Sequence, residues 1–134
     1  MSNGDTFIDL GLDDAQELKS VPAGEYQVRV VEATIGHSEK TGSDYLKLRL
    51  ELPGETLSKD LNHFMMFPTP QDDPKKANNR KLAIRNAIQA CGLDSSKGFN
   101  PQDLVGCTAW AILWEEEDPK YGKQNSVKKW VAGK

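Results

Sequence analysis

GEYQVRVVEATIGHSEKTGSDYLKLRLEL, residues 24–52, reads as two long β-strands joined by a polar loop. In the second strand Leu46, Leu48, Leu50 and Leu52 fall on one side, and Tyr45, Lys47, Arg49 and Glu51 on the other. A period of two with one apolar side marks a strand half-buried on a core. The polar side carries a ring and two cations in a row. That suits ordinary solvated surface, and it equally suits a platform for a nucleic-acid strand, with cations for phosphates and flat rings for bases. In the first strand, from Glu25 to about Ile35, Tyr26, Val28 and Val30 share one side before the apolar set shifts to Val31, Ala33 and Ile35. Such a change of parity predicts a bulge or a strong bend.

Val21-Pro22-Ala23-Gly24 is a turn leading into the first strand. GHSEKTGSD, punctuated by Gly36 and Gly42, is the loop between the strands, and Pro53-Gly54 is a tight turn after them. A third strand is expected from about Thr56 to Phe67, with Leu57, Leu61, Phe64, Met65, Met66 and Phe67 as its apolar content. A helix then starts, capped by Asp72 or Asp73 with Pro74 at its first position. Ala77, Ile84, Ala87, Ile88 and Cys91 form its apolar stripe, and Gly92 stops it. Asn100-Pro101 opens one more helical turn ending near Val105-Gly106. Strand four is read as Cys107–Trp114, an acidic turn-rich loop as Glu115–Gln124, and strand five as Asn125–Val131. The order strand, strand, strand, helix, strand, strand in a small all-β chain is that of the OB-fold. This is a five-stranded Greek-key barrel with one α-helix between strands 3 and 4. The rival is an α+β sandwich with an open sheet.

The 134 residues suit one domain, long enough to bury a core without a disulfide or metal staple. Hydrophobic residues make up 37% and charged ones 28%, and no apolar run reaches the ~20 residues of a membrane span. MSNGDTFIDL lacks the basic-then-apolar layout of a signal peptide, which points to a cytoplasmic protein. Cys91 and Cys107 are read as small, reduced core residues. The net charge of −3 is unevenly spread. Residues 1–20 hold five acids against Lys19, while the rest hold sixteen bases and fifteen acids. The chain therefore divides into an acidic leader, residues 1–20, flexible or loosely docked, and a near-neutral domain, residues 21–134. The leader has the pattern of a short amphipathic helix from about Asp13 to Lys19.

Catalytic chemistry finds no footing. There is no nucleophile elbow, no phosphate-cradling glycine loop, and no ligand-like spacing among His37, His63, Cys91 and Cys107. No metal, cofactor or enzyme activity is expected. The basic and aromatic residues say more. With Ala109, Ala111 and Leu113 facing a core, Trp110, Ile112 and Trp114 face away; with Val127 and Val131 inward, Lys128 and Trp130 are outward. Exposed tryptophan is unusual enough to expect either a covering partner or a ligand. The helix crowds Lys75, Lys76, Arg80, Lys81 and Arg85 into its first half, where its own dipole disfavours cations. That stripe is either plain solvated surface or a phosphate-facing one. Tyr121 stands between Lys120 and Lys123 in the loop that often grips ligand in OB barrels.

Three passages carry a family likeness: PAGEYQVRVVEATIGHSEKTGSDYLKLRLEL; the helix RKLAIRNAIQACGL with the Pro101–Gly106 turn; and YGKQNSVKKW. Together they span most of residues 22–131, and in them the chain resembles the phage-encoded single-stranded-DNA-binding proteins with an OB-fold. The resemblance implies sequence-independent binding of single-stranded DNA in phage replication, recombination or repair, in the host cytoplasm and without a cofactor. On that reading Lys47, Arg49, Arg80, Lys123 and Lys128 are expected to meet phosphates, and Tyr45, Trp110, Trp114, Tyr121 and Trp130 to stack on bases. Many such proteins end in an acidic tail that recruits partners, whereas this chain ends VKKWVAGK. The acidic leader then becomes the candidate contact for phage replication or recombination proteins. The alternative is a β-barrel interaction or virion module, its outward rings buried in a protein interface or homo-oligomer.

Overall fold

The computed structural model describes residues 6–132; the first five residues of the expected leader and the last two of the closing stretch lie outside the described residues. Over the described residues the chain is mostly β with one α-helix. Its strands are β1 (Gly24–Ser38), β2 (Ser43–Glu51), β3 (Leu61–Met66), β4 (Thr108–Asp118) and β5 (Gly122–Val131), and the helix α1 (Pro74–Ala90) lies between β3 and β4. All five strands form one antiparallel sheet in the order β3-β2-β1-β4-β5. The sheet is not closed by hydrogen bonds, so β3 and β5 are its two edges.

The alternation of β2 buries Leu46, Leu48 and Leu50 completely, and Leu52 just beyond the strand. The parity change in β1 is a bulge. Val30 pairs with Leu50 and Glu32 with Arg49, leaving Val31 as the extra residue. Val28, Val30 and Ala33 thereby all reach the core. Ile35 shares their side but lies half exposed at the end of the sheet, so it is not the core residue expected. Gly36 belongs to the strand and not to the loop, which shrinks to the turn around Gly42 (φ 69°).

The second half of the chain departs further from expectation. β3 is half the expected length. Its forerunner Leu57 is exposed, in a turn whose backbone bonds to residue 19. The acidic stretch Glu115–Asp118 is strand and not loop, because it pairs with Asn125, Gln124, Lys123 and Gly122 in turn, acid facing Lys123 across the hairpin. A second bulge falls where Ile112 pairs with Lys129 but Leu113 pairs with Val127. Lys128 is the extra residue. It reverses the parity expected of β5, so Trp130 turns inward and is only 9% exposed.

Two devices cover the sheet edges. α1 packs Ile84, Ala87 and Ile88 across the gap between β3 and β5. Its start is as read, with Asp73 accepting from the Lys76 N–H and Pro74 in first place. Within the gap the Trp130 ring meets His63 edge-on at 5.7 Å, and its indole N–H donates to His63 Nε2 at 3.4 Å. At the other end, residues 19–21 act as a clip. Lys19 exchanges backbone bonds with Leu57 and Lys59. The buried Asn125 side chain accepts from the Val21 N–H and donates to the carbonyls of Val21 and Trp114, each at 2.9 Å. Upstream of the clip every described residue of the leader is exposed, and residues 12–14 form a 3-10 turn in place of the helix expected from Asp13 to Lys19.

Asn125→Ala removes the side-chain partner of the buried Val21 N–H and carbonyl and of the part-buried Trp114 carbonyl. It is expected to lower stability by about 3 kcal/mol, read as a fall in the urea midpoint at unchanged slope. His63 supplies a pH dependence. Burial lowers its pKa from the ordinary 6.5 to about 4, so the folded protein holds a neutral imidazole that accepts from the indole. Above pH 6.5 neither state is protonated; between 6.5 and 4 only the unfolded chain takes up the proton. Stability therefore falls with pH across that window, by up to about 3 kcal/mol. His63→Leu should shrink the difference in melting temperature between pH 7 and pH 4.5; an undiminished difference excludes His63 as its source.

Candidate functional site

The outer side of β2 and β3 carries a cluster of rings and cations. Register fixes its members: Tyr45 lies between Gly36 and Met66, Lys47 between Thr34 and Phe64, and Arg49 between Glu32 and Asn62. Tyr45 and Phe64 meet edge to face at 5.5 Å and 67°. The Lys47 ammonium lies 5.8 Å from the centre of the Phe64 ring. Tyr45 can lie flat against β1 because residue 36 has no side chain; a Cβ there would collide with the ring. Phe64 is 53% exposed, an apolar ring left to solvent beside a cation. Arg49 is in part committed elsewhere, paired with Asp60 at 3.5 Å.

A second cluster lies on β4 and β5. Trp110 is half-buried and Trp114 is 45% exposed, with the Lys128 ammonium 4.3 Å above its ring. The bulge turns Trp130 inward and leaves Lys128 on the outer side with Trp114. Trp130 is a core residue, so it is withdrawn from the outward tryptophans expected from the sequence. At the hairpin tip Tyr121 is exposed with Lys120 5.2 Å from its ring centre. The tip is anchored by Lys59, whose ammonium donates to the carbonyls of Tyr121 and Lys123.

The two clusters do not coincide. Tyr45 pairs with Gly36 near one end of β1, while Leu113, next to Trp114, pairs with Gly24 at the other. Twelve residues of strand separate them, roughly 40 Å of path along a bent β1. The sequence-predicted residues therefore form two ring-and-cation patches on either side of that strand, together with the hairpin tip.

The helix cations divide as well. Lys75, Lys76 and Arg80 line a groove of about 420 Å³ between α1 and β3, which also takes in His63, Phe64 and Met66. Arg80 is clamped by the Phe67 carbonyl at 3.2 Å and Asp72 at 3.1 Å, with a side chain only partly open to solvent. Its first role is thus to tie α1 to the end of β3. The Thr69 backbone N–H holds the Asp72 carboxyl below its ordinary pKa, with Arg80 and Lys76 acting in the same sense. Lys81 and Arg85 point to a different cleft.

Sequence reasoning did not single out Phe64, the ring at the centre of the first patch. Its signal was present, since Phe64 stands opposite Lys47 once β3 is paired to β2 in register. Cys91 packs against the core, and burial, with Cys107 beside it, pushes its thiol up to about 12, so it is inert at neutral pH. Cys107 is half-buried and outside the core. Among the described residues no group of three or more His, Cys, Asp or Glu is arranged to hold a metal, and no helix is long and apolar enough to cross a membrane.

Residues 10–128 match the model of a family described as "Protein of unknown function (DUF669)". The chain belongs to the DUF669 family. The match takes in the leader from Leu10 onward, α1 and both patches, so these are parts of one family unit. No curated protein matches the chain.

Gly36→Ala tests how far the first patch depends on a missing side chain. It is expected to push the Tyr45 ring off β1, with loss of the Tyr45–Phe64 contact in NMR, and to cost roughly 1–3 kcal/mol of stability. An unmoved Tyr45 would show that the ring is not held by that close approach.

Proposed function

We propose that this chain is a sequence-independent single-stranded-DNA-binding protein built as an OB barrel, of the phage-encoded kind its sequence resembles, acting in phage DNA replication, recombination or repair. One observation carries the reading: the outer side of β2–β3, where Tyr45 and the exposed Phe64 meet edge to face and the Lys47 ammonium lies 5.8 Å from the Phe64 ring centre. Bases stack on such rings whatever their identity, at about 1–3 kcal/mol each, and the cation meets the phosphate. The strand order supports the barrel. β1 is shared by two strand pairs, β3 and β5 approach through Trp130 and His63, and the helix lies between β3 and β4. The second patch, Trp114 with Lys128, offers a further stacking position to a strand long enough to follow β1. Binding of this kind makes and breaks no covalent bond and calls for no cofactor.

The alternative of a protein-interaction module is favoured by the exposed apolar side chains of the leader. Fluorescence anisotropy with labelled oligo-dT at low salt separates the two. Binding with Kd near or below about 1 μM is expected, weakening as salt rises and quenching tryptophan emission. Phe64→Ala should weaken it by about five- to 150-fold, as expected for one lost stacking position. Lys47→Ala should weaken it less and flatten the salt dependence. No binding at micromolar protein would end the DNA reading.

A further inference from the structure

The leader and the far side of α1 each present what the other lacks. In the leader Phe7, Ile8, Leu10 and Leu12 are 68–89% exposed, interleaved with Asp9, Asp13 and Asp14. Side chains of that size are seldom left uncovered in a row. On α1, the side away from Lys75 and Lys76 borders a cleft of about 650 Å³. Phe67, Leu82, Ile88 and Phe99 give it an apolar floor, with Lys81 and Arg85 at its rim. No carboxylate is among its lining residues. One element is therefore apolar and acidic, and the other is apolar and basic.

The leader does not fill the cleft of its own chain, since every residue from Thr6 to Lys19 is exposed. Its root is fixed by the clip of residues 19–21, between the β2–β3 connection and Asn125 of β5. A second molecule carries the same unused pair of surfaces in the same stoichiometry. We propose that the leader of one molecule docks in the α1 cleft of a second copy. Phe7, Ile8, Leu10 and Leu12 then pack against Leu82, Ile88 and Phe99, while Asp9, Asp13 and Asp14 face Lys81 and Arg85. The contact is heterologous: each molecule gives a leader and receives one, so it closes into a ring or runs on as a chain of subunits. Because the partner surfaces differ from the Tyr45–Phe64 patch, this association stands or falls independently of DNA binding.

Sedimentation of the full chain over a range of concentrations is the test, alongside anisotropy of a labelled synthetic peptide of residues 6–18 added to it. Self-association that rises with concentration, and saturable peptide binding that weakens with salt, are expected. K81E/R85E should weaken both by at least about tenfold; these residues are exposed, and a far-UV melt checks that the variant still folds. A peptide with Ser at positions 7, 8, 10 and 12 should not bind. Peptide binding to a chain that stays monomeric at about 100 μM would place the leader in its own cleft and overturn docking between copies. Self-association undiminished in K81E/R85E would assign it to another surface and equally overturn the proposal.

Discussion

An antiparallel sheet that does not close leaves two edges, and this fold depends on covering both. Unpaired strand edges invite other chains, and buried backbone groups without partners cost stability. α1 lies across the gap between β3 and β5, and Trp130 fills it, its N–H satisfied by a neutral His63. At the opposite end the chain just before β1 is drawn in and held by Asn125. The three are unlike in chemistry, an apolar stripe, a ring pair and a buried amide, but each spans elements distant in sequence. They make the five strands a single enclosed core.

The two bulges decide what that core exposes. A strand has only two sides, so one extra residue exchanges them from that point onward. Val31 keeps Val28, Val30 and Ala33 all inward. The extra residue Lys128 sends Trp130 in, while Lys128 itself stays on the outer side over Trp114. The bulge in β1 was legible because the apolar pattern itself changes phase at Val30-Val31. The bulge in β5 was not. Val127, Trp130 and Val131 are compatible with either parity, and only pairing to β4 selects one. For the same reason the acids Glu115–Asp118 read as a loop. Consecutive charges carry no strand signal of their own, and their place in β4 comes from the partner strand.

The element order, the helix with its Asp73 cap, and the Leu46-Leu48-Leu50 face were all readable, because each is written in local periodicity or local capping chemistry. The candidate site was readable in part. Tyr45 and Lys47 follow directly from alternation along β2. Phe64 lies in the run His63-Phe64-Met65-Met66-Phe67, where nearly every residue is apolar and alternation gives no phase. Arg80 shows the opposite limitation. Its position suggested a phosphate contact, yet its side chain is clamped by Asp72 and the Phe67 carbonyl, and a clamp built from residues eight and thirteen positions away leaves no trace in helix periodicity.

The clip at residues 19–21 also sets where mechanical load enters the molecule. Any protein that seizes the leader pulls first on the backbone bonds of Lys19 to Leu57 and Lys59, and then on the Asn125 side chain. These anchor points lie at the Gly24 end of β1, whereas Tyr45 rests against Gly36 towards the other end. Tension on the leader is therefore delivered to the β4–β5 hairpin and the β2–β3 connection. Tyr45, held against Gly36, lies twelve residues along β1 from the Gly24 end where that load enters.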